Sequence, residues 1–477
     1  MGEGSTLYLH PSFLGKHESL LSPHPNTLFS FPSHSMNFEH LMHTDPEAFT
    51  LLTREMERQE SSLELIPSEC IASLSVIEAL GSPLTNKYSE WYPWKRYYGG
   101  NEVIDMVENL AIARAKQAFP WVVHVNVQPY SWSPANFAVY NALCNSQDTT
   151  MGMSLTEWWH LTHGWKASAT GKYFSPILYG LRPDGYIDLE AVERLAYEHR
   201  PKLIWVGATA YSREFPFAEF ARIADSIGAY LAADISHISG LVIAGAHESP
   251  AKYAHIITTT THKTMRGPRG AMIMVTERGL EKDSELPKKI DASVFPWLQW
   301  GPHNHQTLAI AVALGEALTP EFREMNHQIV RNAHALSETL MKKWFTIVTG
   351  GTSNHLILAD VGYGRGIFMQ EALDHAGITL NKNTIPHEPS SPFYPSGIRM
   401  GTPIMTMRGM REKEMQKVWN SIAHVAEIIR EFQFRDEEKK DILANFRNFI
   451  HSHDQLKQIR EEVRTLCKQF PIYSKIS

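Results

Sequence analysis

Between about residue 44 and residue 300, two spacings of apolar residues take turns along the chain. Phe49, Leu52 and Met56 recur at helical intervals behind Thr44-Asp45-Pro46-Glu47, where a capping residue precedes a proline suited to the first helical position. Further helical patterns are predicted over 101–119, 134–144, 188–197 and 217–227. Between them lie short continuous apolar runs at 123–127, 203–207, 230–233 and 256–260, which read as buried strands. Strands alternating with helices in this way predict βαβ units, and hence a mainly parallel sheet with helices on both faces.

The rhythm changes beyond about residue 320. A helical pattern over 320–344 is followed by apolar runs at 345–348 and 355–360, a helix over 367–375, another short run and a charged helical stretch. We therefore expect an α/β protein in four parts: a flexible extension over 1–40, a large α/β domain with a helical arm over 41–320, a small α+β domain over 321–435, and a charged, solvated helical tail over 436–477. The extension carries no arginine and one lysine, Lys16, so it resembles neither a mitochondrial presequence nor a secretory signal.

Composition narrows the function. Forty-five Lys and Arg against 51 Asp and Glu leave a formal charge of −6, which offers no bulk attraction for a nucleic acid backbone. Apolar stretches are broken well before the length of a membrane span. The three cysteines, Cys70, Cys144 and Cys467, build neither a zinc spacing nor a disulfide framework, which points to a reducing compartment and a cytoplasmic protein. No metal site is expected; His303 and His305 read as polar interface groups.

Chemistry concentrates at two strand ends. Tyr230-Leu231-Ala232-Ala233 runs into Asp234 and His237, and Thr258 to Thr261 lead into His262-Lys263-Thr264. Ligands of open α/β sheets bind at that edge. An acid that keeps a pyridine nitrogen protonated, beside an amine that holds an aldehyde as a Schiff base, is what pyridoxal 5′-phosphate requires. Taken alone, the pair is equally compatible with a helix-capping aspartate and a surface lysine. Ser131, ahead of Pro134 at a predicted helix start, suits a phosphate or an ordinary N-cap. Arg399, between Gly397 and Gly401, suits a substrate carboxylate or a surface ion pair.

Longer blocks carry a family resemblance: LTNKYSE at 84–90, KRYYGGNE at 95–102, NVQPYS at 126–131, SPANFAVY at 133–140, HLTHG at 160–164, TTTTHKT at 258–264, GPHNH at 301–305 and SGIR at 396–399. From about 37 to 430 the chain resembles the serine hydroxymethyltransferases, pyridoxal-phosphate enzymes of fold type I with an aspartate-aminotransferase-like seven-stranded sheet. The resemblance implies that Lys263 forms the Schiff base, Asp234 partners the pyridinium, His237 neighbours the phenolic oxygen and His160 stacks on the ring. It also implies cofactor contacts from Ser131, Trp132, Thr209 and Gly301, the last across a subunit boundary. Ser68 and Arg399 would hold the substrate carboxylate. Glu90 would transfer a proton beside Tyr88 and Tyr98, and Leu155, Trp159 and Asn383 would meet folate. The implied reaction exchanges serine and glycine with tetrahydrofolate, which becomes 5,10-methylenetetrahydrofolate, in a homodimer or homotetramer with shared sites.

The chain departs from that family at Trp91, Trp94, Trp132, Trp158, Trp159, Trp297 and Trp300, where relatives have glycine, and at Cys70, where they have asparagine. An indole in place of glycine adds bulk and restricts the backbone. Two other readings therefore stay open: a folate-independent aldolase of β-hydroxy amino acids, and a catalytically impaired relative that acts as a binding partner. A single base separates one glycine codon from the tryptophan codon, so a change at the level of the codon is a further reading.

Overall fold

The predicted alternation becomes a seven-stranded sheet. Its strands, in chain order, are β1 (Val122–Asn126), β2 (Thr149–Met153), β3 (Ser175–Tyr179), β4 (Leu203–Val206), β5 (Tyr230–Asp234), β6 (Ile256–Thr260) and β7 (Ala271–Thr276). Across the sheet they lie in the order β1-β7-β6-β5-β4-β2-β3, parallel except for β7, which is antiparallel to both neighbours. The structure is a computed structural model that describes residues 38–154, 161–165, 167–342, 345–434 and 439–473.

Burial explains which segments became central strands. Every residue of β4, β6 and β7 is buried, as both faces of a helix-covered parallel sheet demand. The three threonines of β6 keep the β-branched shape that favours strands while adding hydroxyls. Two of those hydroxyls reach local acceptors: Thr259 donates to the Thr260 carbonyl at 2.8 Å, and Thr260 to the Ser236 carbonyl at 3.3 Å. Gly207, just past β4, has φ of 149°, and a Cβ there would stand 2.3 Å from the Asp234 carbonyl oxygen. Only glycine lets β4 end so close to the acid.

The helices follow the sequence signals closely. Asp45 caps helix Pro46–Ser61 through the Ala48 N–H at 3.0 Å, and the helix expected over 217–227 is Phe217–Ile227, closed by Gly228 at φ 74°. An additional short helix, Glu39–Thr44, precedes the predicted start of order.

Residues 38–472 form one compact unit that contains two large hydrophobic cores. The first surrounds the seven-stranded sheet. The second packs a four-stranded sheet (Thr346–Ile347, Leu356–Asp360, Asn381–Asn383 and Gly397–Gly401) against helices Gly366–His375 and Glu412–Ile428. Leu63 and Leu65 join it from the N-terminal arm, where Leu63–Glu64 pairs in parallel with Ile378–Thr379. The tail differs from a single solvated helix. It forms two helices, Lys439–Ser452 and Asp454–Gln469, whose Phe446, Leu456, Ile459, Val463 and Cys467 are buried in the second core. Charge occupies the outward positions, and the apolar stripe at helical spacing decides the packing.

Several tryptophans stand on unusual backbone. Trp91, Trp94 and Trp121 have φ of 76°, 64° and 73°, the left-handed region that an L side chain enters at a cost of roughly 1–2 kcal/mol. Trp94 is 69% exposed, so its indole gains little from packing to offset that strain. Its backbone N–H donates to Asp105 Oδ2 at 2.9 Å, a bond that glycine retains. Trp94→Gly is expected to stabilise the protein by about 1 kcal/mol, read as a higher urea midpoint at unchanged slope.

Candidate functional site

Parallel pairing of β5 with β6, in the register Asp234↔Thr258, puts an acid and an amine at the same edge of the sheet. Asp234 ends β5. Lys263 lies three residues beyond β6 in a turn closed by the Gly267 N–H donating to the Thr261 carbonyl at 2.7 Å and by the Thr261 hydroxyl donating to the Pro268 carbonyl at 2.6 Å. The turn is tied to the start of helix Ser239–Ala244, which follows β5. Thr264 Oγ1 accepts from the Gly240 N–H at 3.0 Å and donates to the His237 carbonyl at 3.1 Å.

Asp234 is buried yet fully engaged. Oδ1 accepts from the Ser236 N–H at 3.1 Å; Oδ2 accepts from Asn136 Nδ2 at 2.9 Å and from the indole N–H of Trp132, with His163 Nε2 at 3.3 Å. Asn136 also reaches His163 Nε2 at 3.0 Å, so amide and imidazole hold the carboxylate from behind. Asn136 and His163 were not among the expected site residues. The spacing of Trp132 and Asn136, four apart on helix Trp132–Leu143, is the sequence signal that places both on one face.

Lys263 is 2% exposed, and its Nζ donates to Thr260 Oγ1 at 3.2 Å. Burial pushes the amine down from its ordinary value of 10.5 to about 7; Asp234 opposes the shift, while Arg399 and Arg269 add to it. A lysine of that basicity carries a substantial neutral, nucleophilic fraction near neutral pH. Its Nζ lies 3.5 Å from the centroid of the Trp132 indole. An aromatic heterocycle thus touches both amine and acid, and it is the protein's own side chain.

The other expected residues divide into groups. His237 is buried beside this trio, its ring 6.0 Å from Trp132 and 5.7 Å from the stacked His355. Burial and the nearby Arg399 push His355 down to about 3, so it is neutral. Arg399 donates from Nε to Asn381 Oδ1 at 3.1 Å and from Nη1 to the Thr209 carbonyl at 2.5 Å. Ser68 follows Pro67, which a Cβ on Gly401 would approach to 2.7 Å, so the Ser68 loop packs on the strand that carries Arg399. Asn383 lies on the adjoining strand, its amide donating to the Thr384 carbonyl at 2.8 Å.

A further cluster gathers Tyr88, Tyr98, Glu90 and Gly301. The two tyrosine rings meet edge-on at 5.3 Å, and a Cβ on Gly301 would touch Tyr88 at 3.2 Å and Glu90 at 3.7 Å. Glu90 is buried, and its charge pushes the Tyr98 phenol up. Arg96 organises this loop, pairing with Asp105 at 2.8 Å and Glu108 at 2.5 Å while donating to the carbonyls of Ser89 and Trp91. Leu155, Trp158, Trp159 and His160 lie outside the described residues.

The donor set suits pyridoxal 5′-phosphate. Ser131 is exposed at the N-cap of the 12-residue helix Trp132–Leu143, and its hydroxyl makes no capping bond, which leaves that hydroxyl at a helix start for a phosphate. The ring's room between Asp234 and Lys263 is filled by the Trp132 indole and opens only when that side chain moves.

Strand order, paired acid and amine, and the helix N-terminus beside them define the class of α/β enzymes that work through pyridoxal phosphate. Comparison with known proteins narrows that class. A family model described as serine hydroxymethyltransferase matches residues 41–422. The chain is 50% identical over 432 residues to a serine hydroxymethyltransferase of Acidothermus cellulolyticus, covering 90% of this chain and 96% of that one. It is 49% identical over 435 residues to that of Sorangium cellulosum, with the same coverage. The chain belongs to the serine hydroxymethyltransferase family, whose cofactor is pyridoxal 5′-phosphate and whose co-substrate is tetrahydrofolate.

The depressed Lys263 makes stability depend on pH. Between about pH 7 and 10.5 the unfolded chain binds more protons at this residue than the folded one, so stability rises with pH across that window. Below it the full cost of burying the ammonium is present. Lys263→Met is expected to lack this rise, which has a ceiling of roughly 1.4 kcal/mol per pH unit, when denaturation is measured from pH 7 to 10.

Proposed function

We propose that this chain interconverts serine and glycine and passes the one-carbon unit to tetrahydrofolate, with its own residues in the roles below. The observation that carries this reading is a buried amine, Lys263, and a buried acid, Asp234, meeting the same aromatic ring at one sheet edge, in a chain of this family. Pyridoxal 5′-phosphate, when bound, supplies the aldehyde and the electron-accepting ring.

Lys263 is the nucleophilic amine, made available by burial. Asp234, held by Asn136 and His163, keeps a proton on a ring nitrogen by its charge. Arg399, anchored by Asn381 and Thr209, grips the amino-acid carboxylate and so fixes which bond at Cα stands perpendicular to the ring. Ser131 and the amides behind it take the phosphate. Glu90 holds and moves the proton at the hydroxymethyl oxygen.

The same reading includes a division near residue 320 into a large and a small domain, supported by the two hydrophobic cores. It includes a homodimer or homotetramer that shares its sites, supported by exposed Tyr88, Tyr97, Tyr98, Trp297 and Trp300 around the Glu90 loop and Gly301. Cytoplasmic placement is supported by three free thiols; among the described residues no helix is long and apolar enough to cross a membrane. The comparisons lend nothing to a folate-independent aldolase or an inert binding partner.

Glycine formation from serine should depend on tetrahydrofolate and vanish in Lys263→Ala; absence of turnover in cofactor-loaded protein overturns the reading. Glu90→Gln should lower kcat by about 10²–10⁴-fold while KM for serine changes little, because the lost proton transfer acts only in the chemical step.

A further inference from the structure

We infer that the indole of Trp132 is a resident stand-in for the cofactor ring, so that pyridoxal 5′-phosphate binds only by displacing it. The inference rests on the cofactor assignment of the preceding subsections and deepens it, because it concerns how the site is filled and emptied.

Trp132 makes to Asp234 the bond that a protonated pyridine would make, and it covers Lys263. Its ring N–H donates to Asp234 Oδ2, the oxygen that also takes the Asn136 amide. Its face lies 3.5 Å from Lys263 Nζ, so the indole covers the amine that must reach the cofactor's aldehyde. Its third neighbour is His237, at 6.0 Å between ring centroids. One carboxylate oxygen and one slot cannot serve two rings, so indole and cofactor exclude each other.

The indole has a way out. Trp132 is the first residue of its helix and only partly buried, in contrast to Lys263 and Asp234. Rotation about its side-chain bonds carries the ring toward solvent without disturbing the helix. Ser131 is exposed and its hydroxyl makes no capping bond while the indole is in place, so a phosphate can dock first at this helix start and the ring follows once the indole has left. Closed and open forms then compete, and the apparent affinity for the cofactor falls by the fraction of molecules in the open form.

Titration of the full-length chain with pyridoxal 5′-phosphate, read by the visible absorbance of the lysine-bound aldehyde, tests this. Trp132→Gly and Trp132→Ala should each bind at least about tenfold more tightly than the parent chain, since a hydrogen bond to a charged group no longer has to be broken. The parent's capture rate should level off at high cofactor, limited by departure of the indole; the variants' rate should keep rising. Two variants guard against a special effect of glycine at a helix start, and the parent's own kinetics need neither. Equal affinities, or variants that are folded by circular dichroism yet take up no cofactor, overturn the inference. Adding Lys263→Ala to either variant should abolish the absorbance. If a variant binds tightly but converts no serine with tetrahydrofolate, the displacement stands and the proposed activity falls.

Discussion

The site depends on two strands running side by side in the same direction. Because β5 and β6 are parallel, with Ala232, Ala233 and Asp234 opposite Ile256, Ile257 and Thr258, their carboxyl ends open on one edge. The acid is the last residue of one strand and the amine follows the end of the other. A slip of one residue in either would turn its side chains to the opposite face of the sheet, and the pair would part. The buried alanines, isoleucines and threonines of these strands therefore fix the chemistry as well as the core.

Burying charge is costly, and this fold places it where the cost is useful. Asp234 meets several donors, which satisfy its oxygens away from water. Lys263 has one hydroxyl partner and the indole face, and its basicity falls accordingly. The contrast divides the roles: the fully bonded acid is held in place, and the poorly bonded amine reacts. Arg96 does comparable work in the Glu90 loop, where it meets two carboxylates and two carbonyls. There the ions bond to one another and serve as scaffold.

Much of this was legible in the text. The helix at Phe217–Ile227 and the strand Ile256–Thr260 match their apolar patterns, because each alternates cleanly with polar or turn residues. Strands β2, β3 and β7 escaped the pattern. Thr149-Thr150-Met151-Gly152-Met153 has few β-branched residues and a glycine, and Pro176 sits in β3, an edge strand where a missing N–H is tolerated. The tail's buried stripe was hidden by its charge, which dominates composition but lies outward. At the site, Asp234, Lys263 and Arg399 could be read from type and position. The support from Asn136 and His163 could not, since it arises where the helix after β1 crosses the end of β5, a contact of residues about 98 apart.

Where the tryptophans point was also beyond the text, and their structural cost falls into two forms. Trp91, Trp94 and Trp121 occupy left-handed backbone that only a residue without a Cβ enters freely. Trp132 has ordinary helical surroundings, and its side chain instead fills the space that a ring-binding site needs empty. Strain and filled space are different penalties with one remedy, a hydrogen atom in place of the side chain. At 91, 94 and 132 that remedy coincides with the glycine expected from the family resemblance, and at 121 the backbone alone asks for it. The backbone thus favours glycine at 91, 94 and 121, and the indoles are accommodated by the fold: outward into solvent where the surface allows, and inward against Asp234 where an acceptor and a buried amine meet a ring.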